Sequence, residues 1–436
     1  MPNNYRGESL VSASRIRLLC FVLLAIGLAY WLLPILSASA ASPDIKSLSE
    51  VPDGKRHPQC LPFKDQERLG GRCYNLHDVG APTRQQAERF DMQLDEEGKN
   101  ITASGFSDIT GYFRDIQVMP SGELVAVGGR GLKLAHSDAE ARHWTVDSFS
   151  GFADGVLGLA MRPDGHGYAV GQNGGLIFET RNGGRDWEPF NRVFDDPRAP
   201  EIEQLNVPMG LFDVAYADDT TVVAVGYESL LRTTDDGQDW QRVELPVPMD
   251  DVNLQEVLFT GPEVGWTVGS GGTVLRSEDA GASWQAVDIG AEDAHLTTVD
   301  FVDAQHGCIG GGVSVWCTRD AGKTWQATKL ELPRPVMYEP EVGVFRLRFR
   351  DAKRGWLITN DGLVYRSDDG GQNWTLWLDL TRPGRTDTGS VKLAGLALGK
   401  KRVWVVGSGT LKPGPDADPR WDTQRSPILL SWPLDP

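Results

Sequence analysis

The chain of 436 residues carries 60 acidic against 43 basic side chains, a formal net charge of −17, together with 50 glycines and 14 tryptophans. An acidic field of that size disfavours nucleic acid and anionic lipid surfaces and favours basic or dipolar partners. Frequent glycine among regularly placed aromatics is the composition of short strands and tight turns, which leads away from an all-helical chain.

Arg15 and Arg17 precede an apolar run, Leu18–Leu36, which is interrupted at Pro34 and followed by Ser37-Ala38-Ser39-Ala40-Ala41. This is the layout of a secretory signal cleaved after Ala40, yet the run is long enough to stay as a membrane anchor, and the two readings remain open for residues 1–40. In either case the positive charges lie before the run, so the rest of the chain is expected outside: periplasmic, or anchored to the outer side of the cytoplasmic membrane. Cys20 sits within the run, poorly placed for a lipoprotein signal, whereas Cys60, Cys73, Cys308 and Cys317 belong to the exported part. An oxidising compartment favours disulfides there, and no Cys/His spacing suits zinc.

Residues 41–99 are the least regular stretch. Thr83 with Gln86 resembles a capping box, Ala87, Phe90 and Leu94 share one helical stripe, and Gly98 is a stop; together they predict a short helix in an N-terminal extension.

From about residue 100 to 436 the chain repeats. Thr233-Thr234-Asp235-Asp236-Gly237-Gln238-Asp239-Trp240 recurs as Ser277-Glu278-Asp279-Ala280-Gly281-Ala282-Ser283-Trp284. The frame returns at Thr318-Arg319-Asp320-Ala321-Gly322-Lys323-Thr324-Trp325 and at Ser367-Asp368-Asp369-Gly370-Gly371-Gln372-Asn373-Trp374. Weaker copies end at Trp187, with Asn182 in the Asp position, and at Trp144, where Ala139 and Ala141 replace Asp and Gly. The terminal tryptophans lie roughly 40–50 residues apart, the length of one four-stranded propeller blade. Each frame suits a hairpin: the Asp caps turn amides, the Gly permits positive φ, and the Trp packs back on the blade.

Strand-like runs precede every box, as at Leu254–Thr260, Gly265–Gly269 and Thr273–Ser277, with Trp284–Ile289 after it. Beyond the sixth box only three strands remain, Leu393–Leu398, Val403–Gly407 and Ile428–Trp432, so Asn100–Phe106 is expected to supply the fourth and close the ring. The expectation is an all-β, single seven-bladed propeller over 100–436, with a six-bladed ring as the alternative. In the fifth blade Cys308 and Cys317 stand where two others place Trp266 with Arg276 and Trp356 with Arg366. A turn at Gly312-Val313 sets the two cysteines opposite each other, which predicts a Cys308–Cys317 bridge and leaves Cys60 with Cys73.

The boxes are the Asp-box, or BNR, motif, and the exported repeat from roughly Phe106 to Trp432 resembles the photosystem II stability and assembly factor family. That resemblance implies a non-catalytic assembly or protein-binding scaffold acting on a membrane complex; in other bacteria the partner would be an envelope protein such as a transporter subunit. Membrane association would come from the N-terminal segment if it is uncleaved. Asp235, Asp279, Asp320 and Asp369, with Trp187, Trp240, Trp284, Trp325 and Trp374, recur at one structural position, so they read as fold residues, not catalytic ones. Partner contacts are expected instead on loops that depart from the repeat: Phe194 and Arg198; Arg334, Tyr338 and Glu339; Arg382 and Arg385.

The rival reading is a glycoside hydrolase or sialidase-like Asp-box propeller. Tyr112-Phe113-Arg114-Asp115-Ile116 lacks the Arg-Ile-Pro element of sialidases, and no carboxylate pair stands out among Asp195, Asp196, Glu201, Glu228, Glu339 and Glu341. No cofactor or metal is expected: the doublets Asp218-Asp219 and Asp250-Asp251 lack a full calcium loop, and the glycine-rich turns follow the repeat.

Overall fold

The computed structural model describes residues 83–94, 99–106, 111–129, 132–149, 155–171, 176–189, 210–247, 252–333, 343–381, 391–409 and 426–434. Among these the strands make one nine-stranded sheet and five four-stranded antiparallel sheets. Five blades are the separate sheets; the nine-stranded sheet is two blades joined by an added strand. The ring therefore has seven blades. Blades one to six span 112–148, 156–189, 211–242, 254–286, 296–329 and 344–379. Blade seven takes Lys392–Leu398, Arg402–Gly409 and Ser426–Pro433, and its outer strand comes from the other end of the described chain as β2 (Ile101–Phe106). β2 pairs with that last strand through Thr102 opposite Ser431 and Ser104 opposite Leu429, and all six of its residues are buried.

The helix expected near Thr83 is absent. In its place β1 (Thr83–Leu94) runs antiparallel to two strands in turn, Thr83–Glu88 against His143–Ser148 of blade one and Arg89–Leu94 against β2. A helix would satisfy its own backbone but leave both outer edges open, whereas one extended strand pairs the amides of each. The local capping signal loses to that tertiary demand.

The outer strand expected over Trp284–Ile289 is shorter, Gln285–Ala286, and the sixth inner strand starts earlier than its apolar core suggested, at Val344–Phe349. The second strands, such as Gly265–Gly269 and Gly355–Thr359, are buried throughout. Apolar side chains from neighbouring blades meet in seven clusters, and each cluster spans one blade boundary. At the third boundary Val223, Val225 and Leu230 meet Leu254, Val257, Leu275 and Trp284. The core is thus a ring of interfaces, and the axis is left to other side chains.

Candidate functional site

The box residues spend their polar atoms on their own turns. In blade four the Ser277 hydroxyl accepts from Gly281 N at 2.8 Å and donates to Asp279 Oδ1 at 2.8 Å, while Asp279 accepts from Ser283 N and Oγ. Thr318 with Asp320 and Ser367 with Asp369 repeat the arrangement, and Thr233 with Asp235 repeats it without the side-chain bond to the residue before the tryptophan. Hydrogen bonds from Thr324 side chain and backbone hold the Asp320 carboxyl down at about 2. The indoles of Trp187, Trp284 and Trp325 each donate to the box glycine carbonyl three residues before them. The first copy is weak in sequence because its carboxylate moved by one place: Asp138, not the Ala139 position, accepts from Arg142 N and His143 N.

Each box also sets the spacing to the blade before it. A Cβ on Gly322 (φ 82°) would lie 2.4 Å from Trp266, whose face carries Arg276 at 5.4 Å. Arg366 lies likewise over Trp356 at 5.8 Å. In blade five the same place holds a Cys308–Cys317 disulfide (S–S 2.03 Å), and a Cβ on Gly371 would meet the Cys317 sulfur at 2.4 Å.

A further concentration of charged side chains lies at the axis. Every inner strand is bulged at the same place, between Phe113 and Asp115 in blade one, Leu211 and Asp213 in three, Leu254 and Glu256 in four, and Val344 and Arg346 in six, with matching shifts in the other three. A bulge re-aims side chains, so successive residues reach the centre. There Asp115, Asp213, Glu256 and Asp300 face Arg346 and Arg348, and Glu256 takes Arg348 Nη2 at 2.8 Å with Arg346 Nε at 3.5 Å. Backbone amides of the following blade close the carboxylates: Val257 N to Asp213 at 2.9 Å, Val299 N to Glu256 at 2.7 Å, Phe349 N to Asp300 at 2.6 Å.

The electrostatics divide this cluster. Burial, reinforced by the Glu256 charge, pushes Asp213 well above the ordinary carboxylate range, and burial lifts Asp300 to about 6 against the pull of Arg348. Burial opposes ionisation of Glu256 too, but Arg348 and Arg346 outweigh it and hold its pKa below the ordinary value. Arg114 is different. Among the described residues it has no hydrogen-bond or ion-pair partner; its guanidinium lies over the Phe345 ring, 4.1 Å from the centre. Burial and then the like charge of Arg346 lower it to about 9. It is the third residue of its inner strand, Tyr112–Val118, toward the end of the blade opposite the box hairpins. A half-buried, unpaired guanidinium backed by an aromatic ring is a site for a carboxylate or other anion.

Of the residues singled out from sequence, the box aspartates and tryptophans form these hairpins. Phe194, Arg198, Arg334, Tyr338, Glu339, Arg382 and Arg385, with Cys60, Cys73 and the apolar run Leu18–Leu36, lie outside the described residues. Three of their crossovers lead into the inner strands that begin at Leu211, Val344 and Lys392. Sequence reasoning missed the axial set. Its only signal was charge at aligned inner-strand positions, Asp115, Asp213, Glu256 and Arg346, where surrounding residues are apolar.

A family model described as "Photosynthesis system II assembly factor YCF48" matches residues 143–245, 198–292 and 277–388, more than half of the chain. The chain is 40% identical over 139 residues to the photosystem II assembly protein Ycf48 of Synechococcus sp. (strain JA-3-3Ab), covering 31% of this chain and 39% of that protein. It spans about two fifths of the length of the curated relatives it matches first. Among solved structures it is similar to YCF48 bound to D1 peptide, with a TM-score of 0.52 at 16% identity over 79% of this chain and 99% of that one. It is also similar to virginiamycin B lyase from Staphylococcus aureus, with a TM-score of 0.54 at 10% identity over 79% and 99%. At such identities these structural likenesses show the fold alone.

Proposed function

The chain belongs to the photosynthesis system II assembly factor family, and from that premise we propose that it is a non-catalytic, exported scaffold that binds a protein subunit of an envelope membrane complex. The docking site is the mouth of the axis around Arg114 and Phe345; Phe194, Arg198, Arg334, Tyr338, Glu339, Arg382 and Arg385 are kept as further candidate contacts, and they lie outside the described residues. The observation that carries this reading is the unpaired Arg114 guanidinium on Phe345, in an otherwise neutralised cluster of a strongly acidic protein. An aromatic-backed arginine suits a carboxylate on an extended segment, and one solved relative was obtained with a D1 peptide. Partners of transporter type are the alternative where no photosystem exists.

The enzyme reading has a lyase propeller among its structural neighbours but no support in the site, since the axial carboxylates are each occupied by backbone amides or arginines. The test is titration of the exported chain with a D1-type peptide bearing a free carboxylate and with its amidated form. Arg114→Gln should weaken the first at least about tenfold, leave the second unchanged, and leave the melting temperature within about 2 °C. Equal binding by the variant overturns the site. Turnover of sialosides or β-glucans that is lost with one loop carboxylate would replace the scaffold by a hydrolase.

A further inference from the structure

The blade edges differ in length, and the difference falls where β1 lies. Among the described residues the outer strands of blades two, three and four are two residues each, and those of blades five and six are four and five. His143–Ser148 and β2 have six each, the longest runs that could template another chain, and both are covered by β1. Yet β1 is not what closes the ring, because β2 already completes blade seven. Of the β1 side chains that the structure describes, Ala87 alone is buried, opposite Trp144. The strand is held by its ladder, by the half-buried Leu94 against the core between blades six and seven, by polar side-chain bonds such as Ser104 Oγ to Asp91, Gln93 Nε2 to Thr102 and Gln86 Nε2 to Thr145, and by Arg84. That guanidinium meets Asp147 through two hydrogen bonds, at 2.8 and 2.7 Å, and reaches Asp186 and the Arg185 carbonyl of blade two. The Asp147 side chain is 5% exposed, so without Arg84 its charge is left buried and uncompensated.

We propose that β1 is a removable strap, and that the edge beneath it, His143–Ser148, is a docking site for an extended segment of a partner protein. The occupant must bring an arginine opposite Asp147 and a small residue three places later opposite Trp144, as Arg84 and Ala87 do. Backbone pairing supplies the affinity and the Asp147 carboxylate the selectivity. This edge lies on the outside of blade one and does not involve Arg114, so the two sites fail independently.

Hydrogen exchange on the full chain tests the strap: the amides of 83–94 should exchange at least about 100-fold faster than those β2 amides that bond to Ser426–Pro433, through local opening. Exchange of both at one rate would mean the strap leaves only with the ring, and the proposal falls. The docking site is tested with a labelled peptide of the 83–94 sequence added to full-length chain carrying Arg84→Glu, which weakens the resident strap. The peptide should bind, and the same peptide with R84A should bind at least about tenfold more weakly. Indifference to that change, or no binding at all, overturns the assignment. If Arg84→Glu does not fold, excess peptide is added to the wild-type chain, where added protection of 143–148 supports the site and its absence refutes it.

Discussion

In the four full boxes the hydroxyl is the hinge of its turn, accepting from the glycine amide and donating to the aspartate in the same place. Ser277 is buried, so Ser277→Ala leaves Gly281 N without its acceptor and should cost roughly 1–3 kcal/mol in denaturant unfolding. A loss below experimental error would show that the hydroxyl is dispensable. A second prediction comes from the axis. Burial raises Asp300 from the ordinary 3.8 to about 6, so the folded protein holds a proton that the unfolded chain releases. That contribution is complete below about pH 4 and is lost as pH rises through about 6, the reverse of the box aspartates, whose lowered values lose stability in acid. Asp300→Asn should therefore flatten the stability profile between about pH 4 and 6 relative to the parent; an unchanged difference across that window would refute the assignment.

Two strands that precede blade one have unequal duties. β2 is buried along its whole length and completes blade seven, whereas β1 covers edges from outside. Deleting residues 101–106 should open the last blade, and the variant should aggregate or melt at least about 10 °C lower. An unaltered melting curve would disprove closure by β2. Closure was legible because three strands after the sixth box leave a blade one short. The strand character of β1 was not: Thr83, Gln86 and Ala87 satisfy a helix pattern locally, and only the two open edges, brought side by side by the ring, decide otherwise. The weak first box was half legible, since Ser137 and Trp144 keep their places while Asp138 takes over the carboxylate role one residue early.

Because the apolar clusters sit at the boundaries, every blade shares its core with both neighbours. Loss of one blade would strip two interfaces, so the ring should unfold as a unit. Indole fluorescence from tryptophans spread over the blades and far-ultraviolet dichroism should give coincident denaturant transitions; separated midpoints would show that blades come apart singly. While a six-bladed ring stayed open beside the seven-bladed one, the sequence by itself determined the box frames and the hairpin chemistry of Asp235, Asp279, Asp320 and Asp369. Those depend on residues within eight places of each other, and turn geometry is a local property. Only the tertiary structure decided that Asp115, Asp213, Glu256, Arg346 and Arg348 converge, that Arg114 is left unpaired on Phe345, and that Arg84 finds Asp147 across two strands. These contacts join residues far apart in the chain, and which charge is neutralised and which is left free is set by ring closure.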